Sequence, residues 1–212
     1  MNKINGIILS GGKSSRMGED KALMKVGTKT IIEIMIDKLK PFCNKFIISA
    51  DEIDKYSQFG FKVVPDKFKN SGPLAGIYSS LLESNTERNF VISCDLPLVS
   101  QKIIERLLSN ISTKEIILPV TDGKYHQLCG VYSNSVLEKA ESILNAEVER
   151  GRKGEGEKGG EKRNTSVKRL LDISQVEFVD VTSIAGENEF LNMNTVEDYK
   201  MISRIFSWSN QT

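Results

Sequence analysis

The sequence predicts an α/β fold around a mostly parallel central sheet, and three observations lead there. Short apolar runs rich in Ile and Val (INGIILS, KFIISA, FKVVPD, NFVISCD, EIILPVT) recur along the chain, each bounded by loop residues. Segments with a helical apolar period, Thr30 to Leu39, Leu74 to Glu83 and Ser100 to Ser109, separate most of them. The runs are also continuous rather than alternating, as expected of strands covered on both faces by helices.

In such a sheet, ligands bind beyond the carboxyl ends of the strands, where the chain order reverses, so each strand end is informative. The first strand runs into LSGGKSSRMGEDK. Its GKS triplet suggests a P-loop, but that motif needs glycine where Ile7 stands, five positions before Gly12, and Gly6 misses the register by one. No G-x-G-x-x-G follows the strand either. What remains is a loop of small residues whose backbone N–H groups can form an anion nest, with Arg16 and Lys21 adding charge. A guanidinium fork and a compact ammonium together suit a polyphosphate.

The third run leads into VVPDKFKNSGPLAGI, which offers Asp66, a Gly72-Pro73 turn and Gly76 at the opening of a helix. Here the backbone can approach a flat ligand, or simply turn. The fourth run ends in VISCDLP, placing Asp95 between an apolar strand and a proline. This carboxylate either caps the helix beginning near Ser100 or holds Mg2+, an ion that takes one or two carboxylates and fills its shell with water and phosphate oxygens. A phosphate loop on a neighbouring strand end favours the metal.

Beyond EIILPVT, the runs QLCGVYS and VEFVDVT supply further strands, with helices expected near Asn134 to Ala146, Thr165 to Leu171 and Thr195 to Phe206. Residues 149–164, ERGRKGEGEKGGEKRN, contain no aliphatic or aromatic side chain. They read as a mobile glycine- and charge-rich loop within the domain, because a stretch that buries no apolar surface cannot offset its ordering entropy. The alternative is a basic lid drawing on Arg150, Arg152, Lys153, Lys158, Lys162 and Arg163. In FLNMNT, Asn192 and Asn194 are two apart and share a face if extended, to bind substrate or to cap the last helix through Asn194 or Thr195.

Composition narrows the partners. With 212 residues and 39% hydrophobic content, the chain is expected to form one domain, residues 1–212, with one substantial core. Lys and Arg number 29 against 28 Asp and Glu, so no global field draws it to nucleic acid or an anionic membrane. Cys43, Cys94 and Cys129 are too few and too scattered for a disulfide framework or a zinc site, which points to a reducing cytoplasm. No run is apolar enough for a signal peptide or a membrane span, so a soluble, unprocessed protein is expected. His126 is the only histidine and cannot build a metal cluster, which leaves a general-base role as its functional reading. No G-x-S-x-G elbow supports a serine hydrolase.

Taken in order, LSGGKSSRMGEDK, GPLAGI, SCDLP and NMNT resemble the nucleotidyltransferase family that makes molybdenum cofactor dinucleotides, its molybdenum cofactor guanylyltransferases most closely. The likeness runs from Ile7 to about Tyr199. It implies a Rossmann-like three-layer sandwich and transfer of GMP from Mg-GTP to the terminal phosphate of molybdopterin, with release of pyrophosphate. It also implies Leu9, Ser10 and Gly11 against the nucleotide, Gly12, Arg16 and Lys21 around its phosphates, and Asp95 on Mg2+. Asp66 and the turn from Gly72 to Gly76 complete the nucleoside pocket, with Ser49 where family members often carry asparagine. Asn192 and Asn194 lie toward the pterin. Arg16, Lys21 and Asp95 are the expected catalytic residues. The rival readings are a cytidylyltransferase or another small-molecule nucleotidyltransferase, and a non-catalytic carrier. Transient contact with proteins that deliver molybdopterin or receive the product is a further expectation.

Overall fold

The computed structural model describes residues 4–11, 20–110, 112–152 and 166–209. In chain order the elements are β1 (Asn5–Leu9), β2 (Lys25–Val26), β3 (Lys29–Thr30), α1 (Ile31–Leu39), β4 (Lys45–Ser49), α2 (Ile53–Tyr56), β5 (Lys62–Val64), α3 (Pro73–Leu82), β6 (Arg88–Ser93), α4 (Gln101–Ser109), β7 (Ile116–Thr121), β8 (Lys124–Tyr125), β9 (Cys129–Ser133), α5 (Leu137–Arg152), α6 (Ser166–Ile173), β10 (Val176–Asp180) and α7 (Val196–Ser209). The main sheet has the order β10-β7-β9-β6-β1-β4-β5, with β8 added on β7.

Strand alternation divides the core into two layers. Ile8, Phe46, Ile48, Phe90 and Ile92 point toward a cluster shared with α1, α4 and α7. Their neighbours Ile7, Leu9, Ile47 and Val91 point toward a second cluster with α3, α5 and α6. Successive strand side chains face opposite ways, so runs such as GIIL are apolar throughout because both faces are covered. The result is a three-layer sandwich.

Local signals fix the helix starts. Thr30 and Glu33 form a reciprocal capping box at α1. Ser100 accepts from the Ile103 N–H at α4, whose buried stripe is Ile103, Ile104 and Leu107. Pro73 opens α3 immediately after Gly72, which holds φ 70 and ψ −166, a conformation open to glycine.

β1, β4, β5 and β6 pair in parallel, as do β7 and β10. β9 instead runs antiparallel to both β6 and β7. The cause is the short link from β7, which is too short for the crossover that a parallel partner requires. That link contains a second hairpin that the apolar pattern does not announce: Asp122 and Gly123, with φ 49 and 75, turn β7 back into β8. α5 also continues to Arg152, so residues 149–152 extend a helix rather than open the glycine-rich loop. Glu and Arg are good helix formers and can prolong a helix after its apolar stripe ends. The rest of that loop, residues 153–164, including Lys153, Lys158, Lys162 and Arg163, lies outside the described residues.

The close fit of β9 between its neighbours makes Gly130 irreplaceable. A Cβ there would sit 2.4 Å from the Ile117 carbonyl oxygen and 2.7 Å from Leu118 Cδ2. Gly130→Ala must push β9 away from β7, and we expect a loss of about 3 kcal/mol in urea denaturation, at the upper end of the cost of overpacking. A substitution that left the midpoint unchanged would contradict this packing.

Candidate active site

The chain order reverses at β1. From β1 the chain moves outward through β4 to β5, then returns to the opposite side as β6. Three carboxyl ends therefore meet on one rim, where such folds place their ligands. Ser10 donates from its N–H and from its hydroxyl to the Ser49 carbonyl, at 3.0 and 3.1 Å. The Cys94 N–H donates to the Leu9 carbonyl at 2.9 Å. Gly11, exposed, continues this rim, whereas Gly12 and Arg16 lie outside the described residues.

Two groups of side chains flank the rim. On the β4 side, Leu9, Ser49, Asp66 and Gly76 come together. The Ser49 hydroxyl lies 3.4 Å from Asp66 Oδ1. A Cβ on Gly76 would come within 2.5 Å of Ser49 Oγ, 3.3 Å of Asp66 Oδ1 and 3.4 Å of Leu9 Cδ2. Glycine at this position keeps the first turn of α3 against the carboxylate, and Gly72 stands just ahead of the same helix.

Burial raises the pKa of Asp66 to about 6, Asp51 adds to the rise, and the Ser49 hydrogen bond and Lys69 oppose it. A carboxyl that holds its proton more tightly folded than unfolded contributes stability below its unfolded pKa, and loses that contribution as pH rises through the folded value. Asp66→Asn should therefore leave acid stability unchanged and gain in melting temperature over the native chain as pH rises from about 4 to above 6. Nucleotide binding should move oppositely, the native chain tightening over the same range as a hydroxyl-accepting carboxylate forms. Parallel pH series of thermal melts and nucleotide titrations check both signs.

On the β6 side, the structure joins Asp95, Lys21 and Asn194. Lys21 Nζ donates to Asn194 Oδ1 at 2.9 Å across 173 residues of sequence. The Met193 N–H donates to the Asp95 carbonyl at 2.8 Å, pinning the Asn192 to Asn194 segment beside the end of β6. Met193 is buried between exposed Asn192 and Asn194, so both amides face outward as their spacing implies. Asp198 accepts from the N–H groups of Asn194 and Thr195, and Thr195 Oγ1 accepts from the Asp198 N–H, which caps α7.

Asp95 is not a helix cap. Ser100 performs that task for α4, and Glu189 accepts from both the N–H and the hydroxyl of Ser100. Asp95 Oδ1 is buried and makes no hydrogen bond among the described residues. Burial raises the Asp95 pKa, a hydrogen bond from Ser93 and the charge of Lys21 opposing it. Such an orphaned carboxylate oxygen fits a divalent cation held by one protein carboxylate, with water and phosphate oxygens completing the shell. No cluster of three or more His, Cys, Asp or Glu side chains suited to a metal occurs among the described residues, so a site walled entirely by protein ligands is not present there.

Some participants carry no strong sequence signal. Buried Tyr56 donates to Asp20 Oδ2 at 2.8 Å, and Asp20 Oδ1 accepts from the Ala22 N–H at 3.2 Å, fixing the turn that presents Lys21. Their sequence separation hides the pair; only the position of Asp20 beside Lys21 hints at it. His126 is half-buried, bonds Thr121 Oγ1 at 2.7 Å and stacks on Phe190 with centroids 3.7 Å apart. Burial and Lys124 lower its pKa, and it serves packing in this arrangement. Cys43, Cys94 and Cys129 are buried free thiols.

Residues 6–156 match the family described as "MobA-like NTP transferase domain". A relative from Carboxydothermus hydrogenoformans, "Probable molybdenum cofactor guanylyltransferase", is 30% identical over 210 residues, covering 98% of each chain. One from Vibrio parahaemolyticus, "Molybdenum cofactor guanylyltransferase", is 32% identical over 205 residues, covering 95% of each. The crystal structure of molybdopterin-guanine dinucleotide biosynthesis protein A from Archaeoglobus fulgidus superposes with a TM-score of 0.75 at 20% identity, over 96% of this chain and 99% of the other. That last likeness concerns the fold.

Proposed function

Because this chain belongs to the MobA-like NTP transferase domain family, we propose that it transfers GMP from GTP to the terminal phosphate of molybdopterin. The observation that carries the reading is the meeting of Asp95, with its orphaned oxygen, Lys21 and Asn194 beside the loop that follows β1. Curated relatives of full length that bear the guanylyltransferase name supply the substrate pair.

In this reaction an ionised phosphate oxygen of molybdopterin attacks the α-phosphorus of GTP. A new P–O bond forms, the bond from that phosphorus to the bridging oxygen breaks, and pyrophosphate leaves with the electron pair. No proton must be removed from the nucleophile, so the site needs charge neutralisation and alignment rather than a strong base. Leu9, Ser10 and Gly11 lie against the nucleotide, with Ser49, Asp66, Gly72 and Gly76 around the nucleoside. Lys21 meets the phosphates, a role that the sequence motif alone extends to Gly12 and Arg16 outside the described residues, and Asn192 and Asn194 face the pterin. Lys21 stabilises charge growing on the leaving group while its bond to Asn194 keeps it at the join between donor and acceptor. Asp95 would hold Mg2+, which when bound neutralises phosphate charge.

The three buried thiols suit a reducing cytoplasm, where we place the enzyme. No helix among the described residues is long and apolar enough to cross a membrane. Transient docking to the protein that delivers molybdopterin, or to the one that receives the product, fits this role. Pyrophosphate release measured with GTP, CTP, ATP and UTP, with and without molybdopterin, tests the reading. Release that requires both GTP and molybdopterin is expected; a preference for CTP would move the chain to the cytidylyl reaction, and nucleotide binding without release would make it a carrier.

A further inference from the structure

The turn that carries Asp95 is gripped from behind by a cation that the reaction does not use. Lys38, on α1, donates from Nζ to the Pro97 carbonyl at 2.5 Å and to the Val99 carbonyl at 2.8 Å. The turn's own backbone bonds run from Leu96 N–H to Ser93 and from Val99 N–H to Leu96, and Lys38 engages other carbonyls. The ammonium also lies 5.5 Å from the centroid of the Phe206 ring on α7. Desolvation lowers its pKa to about 8, with Glu189 acting in the opposite direction. Gln101 Nε2 donates back to the Lys38 carbonyl at 3.2 Å, joining the start of α4 to the same helix. A lysine held in this way gives up water for two peptide oxygens and an aromatic face, which a solvated surface lysine does not do.

We propose that Lys38 is a positioning residue: its ammonium fixes the turn over residues 95–99 and so sets the Asp95 carboxylate for the metal–nucleotide complex. The inference rests on the reading of Asp95 as the metal ligand. The same turn is held from the front by the Met193 N–H on the Asp95 carbonyl, and Leu96 and Val99 are buried beneath it. Two residues from elsewhere in the chain, Lys38 and Met193, therefore anchor it, and Lys38 spans its far half. Without Lys38, the Pro97 and Val99 carbonyls lose their charged donor and the turn can relax toward water.

The test compares binding of the fluorescent nucleotide mant-GTP with Mn2+ and with EDTA; the ratio of the two dissociation constants measures how far the metal tightens binding. Lys38→Met, which preserves the stem, is expected to cut that ratio by about tenfold, as losses of groups that orient a metal ligand do. Metal-free binding should stay near native, the melting temperature should fall only by a few degrees as the two carbonyls lose their donor, and Lys38→Arg should restore most of the ratio. A native ratio in Lys38→Met, or an equal loss with and without metal, would overturn the proposal. Should that variant not fold, Lys38→Gln is read by the same criterion. Asp95→Asn is measured alongside: if it keeps the native ratio, the metal assignment of Asp95 itself fails. If it loses the ratio while Lys38→Met keeps it, only the role of Lys38 fails.

Discussion

Replacing Asp95 by asparagine should lower GMP transfer by at least about a hundredfold, a loss typical of a preorganised charge aimed at the reacting group. Asparagine preserves the shape of the side chain and removes its charge. The same substitution should not destabilise the fold. The native carboxyl is buried with a raised pKa and one oxygen without a hydrogen bond among the described residues, so folding disfavours its charged form. The linkage has a definite sign: a raised carboxyl pKa contributes stability in acid and loses it as pH rises, so at neutral pH the native chain carries a strain that asparagine relieves. A variant that melts at or above the native temperature and has lost transfer identifies a residue kept for function at the expense of stability. Steady-state turnover and a thermal melt on one preparation decide the matter, and native turnover would remove Asp95 from the mechanism.

Lys21→Met should cost a similar factor, about a hundredfold in kcat/KM, with the loss shared between GTP affinity and turnover because the role proposed for the ammonium sets it against both bound phosphates and developing charge. It has a second signature. The Lys21 charge lowers the pKa of Asp95, so its removal lets that carboxyl hold its proton to higher pH. The acid limb of the activity profile should therefore shift upward in the variant. A uniform loss at every pH, with no shift, would mean that Lys21 and Asp95 do not share a site.

The strand-end residues were legible because each follows its own strand directly. IILSGG, VVPD and VISCD each place a polar group at the carboxyl end of an apolar run, and the parallel sheet brings those ends to one rim. Ser10 meets Ser49, and Ser49 meets Asp66, without any help from distant segments. The spacing of Asn192 and Asn194 around Met193 was likewise readable as an outward-facing pair.

What could not be read depends on contacts far apart in sequence. The bond from Lys21 to Asn194 and that from Met193 to Asp95 are set by the docking of the C-terminal segment, which no local pattern specifies. QLCGVYS looks like any other buried strand, and its antiparallel direction follows from a short connection rather than from its composition. Lys38 has the appearance of an ordinary helix lysine in IMIDKLK, and only the path of the chain after Asp95 gives its ammonium two carbonyls to bind. The Asp122-Gly123 turn carried a usable hairpin signal, but it stood between strands already assigned and too close together for a separate element to be expected.

The central claim is that the rim beyond β1 and β6 holds a nucleoside triphosphate and joins its GMP to a phosphate acceptor. Mass spectrometry of a reaction containing the protein, GTP, Mg2+ and molybdopterin tests it most directly. The expected products are molybdopterin guanine dinucleotide and pyrophosphate in equal amounts, both absent when molybdopterin is omitted. Unchanged GTP, or GDP and inorganic phosphate with no dinucleotide, would contradict it.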